Sequence, residues 1–177
     1  MASIQESKTQ EIVKLIADSL SGRQYAIRGT ASIYLQGFDM NVDDVDVIGD
    51  KNTALYCNLI FREFLTDKVA LKETEKFKSY FGKFVIADVL VEVYGNWQIK
   101  IKSQTLRFGG RKSKTKNGVW SEIFDASEDE ITEIDVQGKK VKATKMTTEL
   151  KMFALMGRWN AYWKLKKQFT KSQRSLF

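Results

Sequence analysis

Histidine is absent from the 177 residues of this chain. That absence excludes a Ser/His/Asp triad, a Cys/His pair, a histidine general base and every His-ligated metal site. Any catalysis must therefore run on carboxylates, lysines, hydroxyls or a metal. Cysteine is nearly absent too. Cys57 alone permits neither an internal disulfide nor a thiolate cluster. Within "TALYCNLIFREFL" it reads as a small buried residue of a helix. No apolar run approaches the roughly 18 residues needed to cross a bilayer. The polar start "MASIQESKTQ" also lacks the charged-then-apolar pattern of a signal peptide. The default expectation is a cytoplasmic protein with no membrane partner. Acid is scarce in the last quarter, where Lys139, Lys140, Lys142, Lys145, Lys151, Arg158, Lys164, Lys166, Lys167, Lys171 and Arg174 meet only Glu149. With a net charge of +7, this electropositive region suits a phosphate-bearing partner, a nucleotide or a nucleic-acid backbone, and equally a solubilising face.

What is present reads as one domain. Apolar residues make up 43% and charged residues 29%, the balance of a soluble globular chain long enough to bury its own core. "TQEIVKLIADSL" has Ile12, Val13, Ile16 and Leu20 at helical spacing. "YAIRG" is a short strand ending at Gly29, and "TASIYLQ" a short helix closed by Gly37. "DVDVIG" is a second strand, followed by a longer helix over "NTALYCNLIFREFL". This alternation argues for an α/β sheet core. "YFGKFVIADVLVEVYG" reads as a hairpin whose arms lie beside the Asp44 strand if the sheet is continuous. "RFGGRKSKTKNG" reads as a loop, and its "GGRKS" lacks the G-x-x-x-x-G-K spacing of a P-loop. "EIDVQGKKVKA" is a hairpin turning at Gln137–Gly138. Thr147 or Thr148 then caps one long helix through "ELKMFALMGRWNAYWKLKKQF".

Asp44 and Asp46 stand one residue apart inside an apolar strand. Side chains at i and i+2 share a face, so the two carboxylates project together while Val45 and Val47 point into the core. Unpaired, they would repel and raise one another's pKa, a cost that a divalent cation removes. Oxygen-only ligands favour Mg²⁺ or Mn²⁺. Their alternative is to be solubilising charges of an edge strand. Glu92, in "LVEVYG", is the preferred third carboxylate because Val91 and Val93 would face the core; Asp88, near the hairpin turn, reads as solvent-exposed. Gly29 at a strand-to-helix turn lets the backbone approach a ligand, and the first turn of the next helix suits phosphate, with Thr30 as its N-cap and a hydroxyl donor. Lys151 and Arg158, seven apart on one predicted helix, are placed to reach a triphosphate or to form ordinary surface pairs. Trp159, Tyr162 and Trp163 offer a base-stacking surface, though at helical spacing they read first as core.

"RGTASIYLQGFDMNVDDVDV" resembles the DNA polymerase β-type nucleotidyltransferase superfamily in its minimal single-domain prokaryotic form, and "FGKFVIADVLVEVYG" and "ELKMFALMGR" are similar to its later segments. The resemblance implies a nucleotidyltransferase fold, a mixed β-sheet flanked by helices with a long C-terminal helix. It also implies an activity: transfer of a nucleoside monophosphate from an NTP such as ATP to an acceptor hydroxyl on RNA, protein or a small molecule. By the same resemblance Asp44, Asp46 and Glu92 bind the divalent metal and carry catalysis, while Gly29 and Thr30 hold the phosphates. The chain departs from many members in carrying Arg28 where they have glycine; this arginine is placed to contact phosphate or to close against Asp43. A second reading keeps the fold without turnover, as a nucleotide- or RNA-binding module such as a toxin–antitoxin partner.

Overall fold

The computed structural model describes residues 4–101 and 118–174. The chain runs α1 (Ile4–Ser19), β1 (Tyr25–Arg28), α2 (Gly29–Leu35), β2 (Asp44–Gly49), α3 (Lys51–Ile60), β3 (Leu65–Glu73), β4 (Phe77–Ile86) and β5 (Val89–Ile101). It continues with β6 (Val119–Trp120), β7 (Ile131–Val136), β8 (Lys139–Thr144), α4 (Met146–Leu155) and α5 (Trp159–Arg174). One mixed sheet has the order β3-β4-β5-β2-β1-β8-β7, with β6 pairing to β5. β2 runs antiparallel to β1 but parallel to β5. The expected hairpin is present as β4–β5, and its second arm does lie beside the Asp44 strand.

Alternation along the strands builds two cores. Val45, Val47, Val91 and Val93 point to the side covered by α1 and α3, where they meet Val13, Ile16, Ala54 and Cys57. On the opposite side Ala26, Ile48, Trp97 and Ile99 pack with Met152 of α4. Each completely buried aliphatic side chain stabilises the fold by about 1.5–3 kcal/mol, so this double packing fixes the register of β2 and β5.

Three elements differ from the sequence expectation. The helix over "NTALYCNLIFREFL" stops at Ile60; a 3₁₀ turn over Arg62–Phe64 follows, and Leu65 opens β3. β3 is an edge strand in which only Val69 is buried, so its sequence carries little alternation to announce it. The long C-terminal helix is two helices. Gly157 has a φ of 72°; its N–H donates to Ala154 O (3.1 Å) and that of Arg158 to Phe153 O (2.9 Å). This closes α4 in a Schellman motif, where a glycine adopts the left-handed conformation without a Cβ penalty. α4 begins after Lys145 rather than at a threonine cap, and the Thr148 hydroxyl donates instead to Glu130 O. The predicted loop at 107–118 lies, apart from Gly118, outside the described residues.

Candidate active site

Asp44, Asp46 and Glu92 meet on the second face of the sheet. Each offers a carboxylate oxygen, and the three oxygens lie within 4.8 Å of one another. Two features of the backbone produce this. The two-residue period puts Asp44 and Asp46 on one side of β2, and parallel pairing sets Glu92 of β5 directly beside Asp46. The cross-strand row continues in both directions, with Arg28 opposite Asp46, Lys83 opposite Glu92, and Asp67 opposite Lys83. The carboxylates are thus flanked by one cation at each end. Glu92 is held on both oxygens: Lys83 Nζ lies 2.7 Å from Oε1, and the Tyr94 hydroxyl donates to Oε2 at 2.5 Å.

A bulge then turns β5. Between the pairs Lys78–Gln98 and Tyr80–Gly95 the strand holds one extra residue, and Asn96 sits there with a φ of 49°. A bulge re-aims the side chains that follow it. Trp97 therefore joins Tyr94 on the acidic side instead of following Val91 and Val93, and the two rings pack with centroids 5.8 Å apart.

Arg28 is the buried cation. It is 4% exposed, its guanidinium lies 4.4 Å from the Trp97 ring centroid, and its Nη1 is 4.0 Å from Asp46 Oδ2. That is Coulombic range but beyond a hydrogen bond. It closes on Asp46, not on Asp43. Burial pushes the Asp46 carboxyl up to about 7 against the pull of Arg28, and Asp44, Glu92 and Glu149 add to the rise. Asp44 is raised for the same reasons, burial first and Glu92 next. Asp46 Oδ1 is buried without a hydrogen-bond partner. An unsatisfied oxygen in a cluster of like charges fits a divalent cation with oxygen ligands, so the donor set suits Mg²⁺ or Mn²⁺.

The turn beside Asp46 requires glycine. Gly29 has a φ of 67°, and a Cβ there would sit 2.7 Å from Asp46 Oδ2. Glu149, fully buried in α4, fixes this turn by accepting from Gly29 N at 2.7 Å and from the Thr144 hydroxyl.

No family model matches the sequence, and no curated protein matches it. Solved structures do. The Thermotoga maritima protein TM1012, provisionally named a nucleotidyltransferase, superposes with a TM-score of 0.72 at 23% identity, covering 93% of this chain and 94% of its own. ANT(2")-Ia, solved in complex with adenylyl-2"-tobramycin, superposes with a TM-score of 0.54 at 14% identity, covering 96% of this chain and 94% of its own. The fold is that of the nucleotidyltransferases.

On this nucleotidyltransferase fold the acids open into a cleft of about 560 Å³, whose walls include Arg28, Lys72, Phe77, Phe81, Trp97 and Arg158. Of the residues singled out in the sequence, Arg28, Asp44, Asp46, Glu92 and Arg158 line it together. Gly29 and Thr30 lie on the turn behind Asp46. Thr30 is the second residue of α2 rather than its cap, which is Arg28, and the Gly29 N–H is already taken by Glu149. Lys151 is elsewhere. It pairs with Glu122 and lines a different cavity of about 350 Å³. The break at Gly157 explains the separation, because Lys151 and Arg158 no longer share a helix. Asp88 sits at the hairpin turn, exposed, with Lys8 3.6 Å away. Trp159 and Trp163 are 48% and 58% exposed, not core. Sequence reasoning missed Lys83, Tyr94, Trp97 and the structural role of Glu149. Only Glu149 left a signal there, as the sole acid of a basic region.

Proposed function

We propose that this protein is a divalent-metal-dependent nucleotidyltransferase that moves a nucleoside monophosphate from an NTP to an acceptor hydroxyl. The observation that carries the reading is the convergence of three carboxylates from two parallel strands, one oxygen unpartnered, in a cleft that Arg28, Arg158 and the Lys72–Asp67 pair also line. Asp44, Asp46 and Glu92 would hold Mg²⁺ or Mn²⁺, which when bound neutralises the triphosphate and the charge that develops during transfer.

The remaining work belongs to the chain. Arg158 and Lys72 face the cleft from opposite sequence regions and bind the phosphates. Thr30, half-buried on the first turn of α2, offers its hydroxyl to the β- and γ-phosphates, while Gly29 permits the close approach of backbone and Asp46. Phe77, Phe81 and Trp97 give the base apolar and aromatic walls. The acceptor oxygen attacks the α-phosphorus in line. A new O–P bond forms, the bond to the bridging oxygen breaks, and pyrophosphate leaves with the electron pair. Glu92 takes the hydroxyl proton once Lys83, 39% exposed at its side chain, swings from the carboxylate towards the phosphates. Holding the reactants in this geometry is the main source of rate. Adenylyl transfer to a small-molecule hydroxyl, as in the ANT(2")-Ia complex, makes ATP the first donor to test.

Purified protein with each α-labelled NTP, Mg²⁺ or Mn²⁺ and a panel of RNA, protein and small alcohols is expected to transfer label. Asp46→Asn should lower transfer by at least about 10²-fold, the loss typical of removing one electrostatic element. Equal transfer by both proteins overturns the reading. NTP binding without transfer to any acceptor would make the protein a silent binding module instead.

A further inference from the structure

One surface beside the acids takes no part in holding the NTP. A second cavity, of about 270 Å³, shares Phe77 and Met156 with the acidic cleft. Its walls carry Lys76, Lys100 and Trp159 and, among the described residues, no acid. From its rim α5 runs for 16 residues, about 24 Å, and carries Lys166, Lys167 and Lys171, with Lys164 3.7 Å from Asp39; the helix itself has no acidic residue. Trp159 and Trp163 lie one turn apart on one face of this helix. Both rings are braced edge-on by Tyr162, with centroids 5.7 and 5.0 Å away, and Lys166 lies 5.1 Å from the Trp163 ring centroid. Two large rings held open to solvent among lysines form a platform rather than a core.

We propose that this surface is the acceptor site of the transfer reaction, and that the acceptor is a single-stranded polynucleotide; the inference rests on the nucleotidyltransferase reading. Successive bases stack on Trp159 and Trp163, an interaction open to any base because each has a π-face. The backbone phosphates follow the lysines of α5, and Lys76 and Lys100 receive the strand end. Its terminal hydroxyl passes Met156 into the cleft at Asp44, Asp46 and Glu92. There its oxygen bonds to the α-phosphorus, its proton goes to Glu92, and pyrophosphate departs, leaving the strand one nucleotide longer. The charge argues against small-molecule acceptors. A polyamine is repelled by these walls, and a small neutral alcohol has no use for a basic strip extending about 24 Å.

Binding is tested without NTP or metal, so that its outcome is independent of turnover. Fluorescein-labelled oligo(U) and oligo(dT) of about 20 nucleotides, longer than the roughly 4–16 nucleotides a single-strand groove covers, are titrated with the full chain and followed by anisotropy. Binding is expected, weakening steeply between about 50 and 200 mM salt. The double variant Trp159→Ala/Trp163→Ala should bind about tenfold or more weakly, since stacking contributes roughly 1–3 kcal/mol per base. An unchanged unfolding midpoint shows that the variant is folded. Absence of binding to either strand, or binding indifferent to the double variant, overturns the assignment. Preference for one strand type supports it and identifies the sugar. With labelled NTP and Mn²⁺ added, extension of the bound strand supports it further. Label passing to an aminoglycoside or a protein, with no strand bound, overturns the acceptor while leaving the transferase reading standing. Failure to label any acceptor, with the strand still bound and sensitive to the double variant, overturns the transferase reading and with it the acceptor role, and leaves a strand-binding surface.

Discussion

The two faces of β2 and β5 are made by alternate residues of the same strands, yet they are settled by different forces. On one, Val45, Val47, Val91 and Val93 are 0–2% exposed and interdigitate with α1 and α3. On the other, Asp44, Asp46 and Glu92 crowd together beside the buried Arg28. The first face is fully buried against other apolar side chains and would tolerate little change. The second keeps an unpartnered oxygen and a carboxyl raised to about 7 by burial and like charge. Packing on the valine side holds this unfavourable electrostatic arrangement in place, as expected where structure serves a ligand rather than itself.

The contrast can be broken most severely on the apolar side. Val91→Asp buries a charge with no partner, at a cost of several kcal/mol against a total stability of about 5–15 kcal/mol. We expect loss of the cooperative thermal transition in circular dichroism, whereas Asp46→Asn, one position from the mirror site across the sheet, keeps it. Next in size is Arg28→Met. Removing the buried cation leaves the carboxylates uncompensated and should cost about 3–5 kcal/mol at pH 8 by denaturant unfolding. The cost is smaller at pH 5. Asp46 has a folded pKa raised from 3.8 to about 7, so folding favours its protonated form. Its contribution is therefore complete at low pH and is lost as pH rises through about 7. The metal-free wild type should melt lower at pH 8 than at pH 5, and Mn²⁺ should raise the midpoint most at pH 8.

Gly29→Ala comes third. A left-handed φ of 67° costs a non-glycine residue roughly 1–2 kcal/mol, and the new methyl would displace Asp46 Oδ2. Weaker Mn²⁺ affinity, measured calorimetrically, should accompany the lost stability. Lys83→Met should have the smallest effect on folding, below about 1 kcal/mol, because the lysine is well exposed. It sharpens the comparison differently. Freeing Glu92 from its ion pair should tighten Mn²⁺ binding while slowing transfer.

Local sequence made much of this visible. Asp44 and Asp46 share a face because the strand period is two, and the valines between them announce which side is core. Glu92 was legible by the same rule. The glycine turn at Gly29 and the β7–β8 turn at Gln137–Gly138, both left-handed, were also marked by residue type. Trp97 was not legible, since period two assigns it to the valine side and only the extra residue at Asn96 reverses it. β3 was hidden because an edge strand with one buried residue has no strong pattern. Glu149 reaches Gly29 across 120 positions, a separation no local spacing encodes.

The amino-acid order alone determined a histidine-free α/β chain with paired carboxylates on one strand face and a basic C-terminal region. These follow from composition and from backbone periodicity, which act over a few residues. Only the tertiary structure decided that β5 lies parallel to β2, that Arg28 faces Asp46, and that α5 turns away at Gly157 with its tryptophans in solvent. Those outcomes depend on strand order, on one bulge and on which buried charges end up adjacent, and such long-range energies are set by the whole packed molecule.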